Sequence, residues 1–97
     1  MRQITKQDIE KQIRDLLALG LSWVPLPPPP ETPPEHHARC FQGVNASGGN
    51  IITVVSWTDG EFTRYEGMAV TSGFFNVVHL TPELAKEAFL AGEEALK

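Results

Sequence analysis

The sequence predicts an α+β fold in which one helix precedes an antiparallel sheet of three to four strands and a second helix packs on that sheet. Residues 5–19 and 82–96 each begin with a helix-capping residue and continue with apolar residues at helical spacing. Residues 39–80 are rich in β-branched and aromatic residues and contain an Asp-Gly pair. Between these parts, the segment "PLPPPPETPP" holds seven of the eight prolines.

The first helix is predicted to begin after Thr5 and to end before Gly20. Thr5 and Asp8 form an Asp variant of the capping box, because each side chain can bond the other residue's backbone N–H. Glycine after the last apolar residue favours the left-handed conformation that ends many helices. The apolar residues that share one face of this helix are Ile9, Ile13, Leu16 and Leu17.

Residues 22–36 are predicted to form a polyproline crossover that carries the chain across the sheet. Polyproline II extends by roughly 3.1 Å per residue and has no internal hydrogen bonds. One interpretation is a strut that packs on the aromatic residues Trp23, Trp57 or Tyr65. A second is a docking peptide, because Leu26 followed by four prolines and Glu31 resembles the ligands of EVH1 domains, and the PxxP spacing is what SH3 domains bind. A third is a disordered linker. The candidate partner-binding residues of this segment are Leu26, Pro28 and Pro29.

The sheet is predicted to occupy residues 39–80. Asp59-Gly60 favours a two-residue type I′ turn, which would pair Trp57 with Phe62 and Val55 with Arg64. A second hairpin is expected about Ser72-Gly73. Its expected pairs are Val70 with Phe75 and Met68 with Val77. The segment "RCFQGV", residues 39–44, is predicted as a fourth strand that precedes these three.

The second helix is predicted to begin with Thr81 as the N-cap and Pro82 in the first turn. Its alanine-rich face suits close packing on a sheet, and Leu90 falls outside that face. The order helix, three strands, helix resembles that of double-stranded-RNA-binding domains. The resemblance is limited to topology, since Glu83 and Glu87 flank Lys86 where those domains carry a basic cluster.

The composition limits the classes of protein. A chain of 97 residues is expected to form a single domain, 1–97. Its formal charge of -4 opposes binding to bare nucleic acid, which depends on clustered Lys and Arg. No apolar run approaches the roughly 20 residues that span a bilayer, and the N-terminus lacks the apolar core of a signal peptide. These features predict a cytoplasmic protein that does not bind membranes.

The leading functional hypothesis is a non-catalytic protein-binding module that covers a surface of a larger partner, as an inhibitor or adaptor does. Trp57, Phe62 and Arg64 lie near the predicted hairpin tip, and these residue types are enriched in binding hot spots. Leu90 is the other candidate contact. The small size and acidity resemble the general profile of phage-encoded inhibitors such as anti-CRISPR proteins. No catalytic residues, cofactor or metal are predicted.

Two alternatives stay open. A small enzyme or metal protein could be built on His36, His37, Cys40 and His79. In that case His36 and Cys40 would share one face if their segment were helical. A self-assembling subunit could form a homodimer through an open strand edge or through Leu90.

Overall fold

A computed structural model describes residues 5–33, 35–45, 49–70 and 77–97. The fold is α+β, as predicted, with a five-stranded antiparallel sheet rather than one of three to four strands. The elements are α1 (Lys6–Leu19), β1 (Ser22–Leu26), β2 (His37–Asn45), β3 (Asn50–Thr58), β4 (Thr63–Val70), β5 (Val78–His79) and α2 (Pro82–Ala95).

Both helices begin with the caps that the sequence predicts. The Thr5 hydroxyl accepts a hydrogen bond from the Asp8 backbone N–H at 3.1 Å, and the Asp8 carboxylate accepts one from the Thr5 N–H at 3.0 Å. The Thr81 hydroxyl accepts from the Leu84 N–H at 3.2 Å. Gly20 follows α1 with a φ of 93°. These local bonds satisfy donors that the first turn of a helix leaves unpaired, so the sequence alone defines both starts.

The strands follow each other in the order β1-β2-β3-β4-β5, and every neighbouring pair is antiparallel. The prediction of a crossover over residues 22–36 is therefore wrong. Ser22–Leu26 is the edge strand β1 and pairs with β2, so the proline segment joins two adjacent strands. Pro25 is compatible with β1 because β1 is an edge strand. A proline has no backbone N–H to donate, and on an edge strand that position can face away from the neighbouring strand.

The proline segment is also folded more tightly than one polyproline helix. The carbonyl of Pro29 accepts hydrogen bonds from the Thr32 backbone N–H at 3.1 Å and from the Thr32 hydroxyl at 2.6 Å. A second turn follows, in which the His36 N–H donates to the Pro33 carbonyl at 3.0 Å. The segment thus bends twice between β1 and β2.

The β3–β4 hairpin turns one residue later than predicted. The Asp59 N–H donates to the Phe62 carbonyl at 3.1 Å, and the Asp59 carboxylate accepts from the Phe62 N–H at 3.2 Å, so Gly60 and Glu61 are the central residues. Gly60 has a φ of 95°, as the first central position of a type II′ turn requires. Trp57 consequently pairs with Arg64, not with Phe62.

The other corrected pairs follow from the same shift and from the next hairpin. Val55 pairs with Glu66 instead of Arg64, and Met68 pairs with His79 instead of Val77. Residues 71–76, which include the predicted turn and Phe75, lie outside the described residues. With five strands the chain does not have the helix, three strands, helix order of a double-stranded-RNA-binding domain.

The core lies between one face of the sheet, here called the inner face, and the two helices. Phe89 of α2 stacks on Phe41 of β2 with ring centroids 4.7 Å apart, and Tyr65 lies 5.5 Å from the same ring. Both helices contribute, since Ile13 of α1 is fully buried beside the sheet residues. The buried core residues are Ile13, Leu16, Phe41, Ile52, Val54, Ala69, Leu84, Ala88 and Phe89.

Candidate interaction surface

Within the described residues, both helices pack on the inner face and leave the opposite face of the sheet, the outer face, without a helix. Side chains alternate between the two faces along each strand, so Ile51 and Val55 point outward where Ile52 and Val54 point into the core. Five large apolar residues at or directly beside these outward-facing strand positions are each between 39% and 49% exposed. They are Val24, Ile51, Met68, Val70 and Val77.

These side chains form rows that cross the strands. Ile51 pairs with Val44 of β2 and with Val70 of β4, while Met68 pairs with Thr53 of β3. Strands of 5, 9, 9, 8 and 2 residues, with about 3.3 Å per residue and about 4.8 Å between strands, present a sheet face of about 500 Å² in projection. The face also carries polar side chains such as Thr53 and Glu66, so its exposed apolar rows are smaller than the face as a whole. Clustered exposed apolar side chains mark interaction sites in soluble proteins.

A cavity of about 120 Å³ opens at the tip of the β3–β4 hairpin, at the end of the outer face. The Arg64 guanidinium lies 5.6 Å from the centroid of the Trp57 ring and 3.7 Å from the Glu66 carboxylate. Phe62 is 74% exposed beside them. An aromatic ring and a cation at an exposed tip offer both stacking and hydrogen-bond donors to a partner. The residues that line this tip cavity are His36, Trp57, Asp59, Phe62 and Arg64.

The indole N–H of Trp57 is buried and has no hydrogen-bond partner within the described part of the chain. The nearby Asp59 carboxylate accepts from the Phe62 N–H instead. A buried donor without an acceptor costs about 1–3 kcal/mol. The tip therefore contains a polar group that would be stabilised by an acceptor.

The predicted site residues fall in three places. Trp57, Phe62 and Arg64 come together around the tip cavity. Leu26 is half-buried in β1 and pairs with Cys40, and it belongs to the outer face by alternation from Val24. Pro28 is exposed and Pro29 half-buried in the turns between β1 and β2. Leu90 is 45% exposed on α2, in the helical layer behind the sheet.

Sequence reasoning missed five residues of the outer face as surface residues: Val24, Ile51, Met68, Val70 and Val77. The signal that could have found them is the run "IITVVSW", in which both the odd-numbered and the even-numbered positions include apolar residues. Both faces of β3 therefore carry apolar side chains. A strand of this kind either has other elements packed on both of its faces or has one apolar face exposed to solvent. The sequence does not reveal that both helices pack on the same side.

The structure separates the residues of the enzyme or metal alternative. His37 begins strand β2, so the helical spacing proposed for His36 and Cys40 is wrong. Cys40 is in β2 and His79 in β5, with two strands between them, which places their backbones at least about 14 Å apart. Residues 5–33, 35–45, 49–70 and 77–97 contain no group of three or more His, Cys, Asp or Glu side chains that could hold a metal ion.

Cys40 is buried, and this burial raises the pKa of its thiol above the ordinary value. We expect its reaction with a thiol reagent to be slower than that of the unfolded chain at pH 8, with a midpoint at higher pH. The measurement is reaction rate against pH, with and without denaturant. A folded-state midpoint below that of the unfolded chain would contradict this expectation and support an activated nucleophile.

The same shift determines a pH dependence of stability. Because the folded-state pKa is the higher one, the contribution of the protonated thiol is fully present below the pKa of the unfolded thiol and is lost as the pH rises through the folded value. The stability difference between wild type and Cys40→Ser should therefore shift against wild type at alkaline pH. Denaturant titrations at neutral and alkaline pH measure this change.

Comparison of the chain with protein-family models, with curated proteins and with solved structures gave no match. Among the described residues, neither helix has the length and apolar character needed to cross a membrane.

Proposed function

We propose that this chain is a non-catalytic protein-binding module whose outer face covers a surface of a larger protein partner, in the manner of an inhibitor or adaptor. The observation that supports this function most is the set of exposed apolar side chains on a sheet face that neither helix covers. An exposed Met or Val costs free energy in water, and burial against a partner recovers about 25 cal/mol for each Å² of apolar surface.

The tip cavity supports the same interpretation. Protein interfaces concentrate their binding energy in a few aromatic and arginine residues, surrounded by a rim that excludes water. Trp57, Phe62 and Arg64 supply these residue types at the end of the outer face. A partner with an apolar centre and a hydrogen-bond acceptor at the tip would match both features, because the exposed Arg64 guanidinium is a donor.

The test is binding to a partner captured from host lysate by the wild-type chain, then purified and titrated. For Ile51→Lys/Met68→Lys we expect Kd to rise at least about 30-fold, the effect of a hot-spot loss of about 2 kcal/mol. Lysine keeps an aliphatic stem on the strand but brings a charge into the contact. Phe62→Ala should weaken binding by a similar factor without affecting stability, since Phe62 is largely exposed.

Leu90→Lys is the matched control, because Leu90 has similar exposure but lies on α2. We expect its Kd to stay within about 3-fold of wild type. Circular dichroism and thermal melting must show that all variants fold. Equal affinity for wild type and the Ile51→Lys/Met68→Lys variant would exclude the outer face, and loss of binding only in Leu90→Lys would transfer the site to the helix.

A further inference from the structure

A cleft of about 310 Å³ lies between α1 and the segment that joins β5 to α2. Val78 of β5 lines this cleft and pairs with Ala69, which is buried in the core, so the cleft is on the inner side of the sheet. Among the described residues, none lines both this cleft and the tip cavity. Small-molecule sites in proteins have volumes of about 300–1,000 Å³, and the cleft is at the lower end of this range.

Most of the residues that line the cleft are apolar. Ile9, Val78 and Leu80 are half-buried and so are partly accessible to solvent, while Ile13 and Leu84 are buried. An apolar cavity of about 150 Å³ can hold benzene, so about twice that volume suits a ligand of about twelve non-hydrogen atoms. The size and the lining of the cleft therefore match an aliphatic molecule of about eight to ten carbons.

The cleft also has an exposed lysine at its edge. Lys6 is the first residue of α1 and lines the cleft. It forms no ion pair within the described part of the chain, whereas Lys11 and Arg14 on the same helix both do. Glu10, the acidic residue that lines the cleft, lies 3.8 Å from the Arg14 guanidinium. The Lys6 ammonium is therefore available to an anion.

A hydroxyl donor and two helix N-termini lie beside the same cleft. The Thr81 hydroxyl oxygen accepts from the Leu84 N–H at 3.2 Å, which leaves the hydroxyl proton to donate. Thr81 is the N-cap of α2 and Lys6 begins α1, so the positive ends of both helix dipoles adjoin the cleft. Asp8 and Glu83, the acidic residues of the two first turns, are not among the described residues that line it.

From this combination we propose that the cleft binds a small amphipathic anion, an aliphatic molecule of about eight to ten carbons that ends in a carboxylate. The aliphatic part would lie against Ile9, Val78 and Leu80, and the carboxylate would accept hydrogen bonds from Lys6 and Thr81. The protein has a formal charge of -4, which opposes the binding of anions in general, so the carboxylate is recognised by these local groups. The proposal does not depend on the proposed function.

The test is a titration of the isotope-labelled protein with decanoate, followed by the chemical shifts of the backbone amides. We expect saturable shifts at Ile9, Leu80 and Leu84, with a Kd below about 1 mM. Decylammonium has an alkyl chain of the same length and the opposite charge. It should bind at least about 5-fold more weakly, because it replaces an attraction to Lys6 with a repulsion. The net charge of the protein would predict the reverse order.

Three variants locate the two parts of the ligand. Lys6→Glu should weaken decanoate binding about 5-fold, and it should fold because an acidic residue is favourable in the first turn of a helix. Lys11→Glu is the matched control, since it also changes the formal charge from -4 to -6 but does not line the cleft, and its Kd should stay within about 2-fold of wild type. Val78→Trp should abolish binding because the indole ring would fill the cleft. Thermal melts check that each variant is folded.

Three results would overturn the proposal. The absence of saturable shifts up to about 1 mM decanoate would mean that the cleft takes no ligand of this class. Equal affinities for decanoate and decylammonium, or for decanoate in wild type and Lys6→Glu, would mean that the carboxylate is not recognised. Shifts at Ile51 and Met68 that are lost in Ile51→Lys/Met68→Lys would assign decanoate binding to the outer face instead of the cleft.

Discussion

Replacing Phe89 with alanine is expected to lower the free energy of unfolding by about 3–5 kcal/mol. Phe89 is 3% exposed, and its ring contacts those of Phe41 and Tyr65. The Arg39 guanidinium also lies 5.4 Å from its centroid. Since small domains have total stabilities of about 5–15 kcal/mol, a loss of this size approaches unfolding. Denaturant titration followed by circular dichroism measures it.

Leu90→Ala is the control for Phe89→Ala. It lies at the next position of the same helix and loses a large apolar side chain as well, but it is 45% exposed. Its cost should stay below about 1 kcal/mol because little buried area is removed. Equal losses for both variants would mean that α2 does not turn Phe89 toward the sheet.

The second large effect is expected at Gly92, where alanine should destabilise the protein instead of stabilising the helix. Glycine inside a helix usually costs about 1 kcal/mol relative to alanine. Here a Cβ atom would lie 2.8 Å from Cε3 of Trp23 and 3.1 Å from Cδ2 of Phe41. Such overpacking costs about 1–3 kcal/mol. Gly92→Ala should therefore lower the free energy of unfolding.

A second background identifies the cause of the Gly92 effect. In Trp23→Val the shorter of the two contacts is gone and the 3.1 Å contact with Cδ2 of Phe41 remains, so Gly92→Ala should cost clearly less there than in wild type. A double-mutant cycle between the two positions gives the coupling free energy. If Gly92→Ala has the same effect in both backgrounds, β1 does not hold Trp23 against α2 as described.

The helices could be predicted closely because their signals are local. Thr5 with Asp8, and Thr81 before Pro82, determine where each helix begins through bonds between residues three apart. The division of β3 between two faces was also predictable. The turn lies one residue later than predicted, so each β3 residue pairs with the β4 residue two positions beyond its predicted partner. A shift of two positions leaves every side chain on the same face of the sheet.

Strand β1 could not be predicted in the same way. Pro25 and the prolines after it indicate a polyproline segment, and a proline inside a strand is normally evidence against that strand. What makes Ser22–Leu26 a strand is tertiary, since β1 is at the edge and Trp23 packs close to Gly43 and Gly92. These two glycines leave room for the indole ring, and no spacing within residues 22–26 indicates them.

The residues of the candidate site at the hairpin tip could be predicted from the sequence, and those on the rest of the outer face could not. Trp57, Phe62 and Arg64 come together because they are close in sequence and the turn joins them. The outer face is exposed because both helices pack on the other side of the sheet. That packing is set by side chains far apart in the chain, such as Ile13 and Phe89.

The sheet order β1-β2-β3-β4-β5 also determines how the entropic cost of folding is distributed. Each strand pairs with its neighbour in sequence, so each strand pairing closes a short loop of chain. The contact of α1 with α2 is different, because Ile13 and Leu84 enter one core from positions about 70 residues apart. The cost of closing a loop grows only with the logarithm of its length. Bringing the two helices together therefore has the largest single cost in chain conformational entropy. This cost is smaller once the strands between the helices have paired.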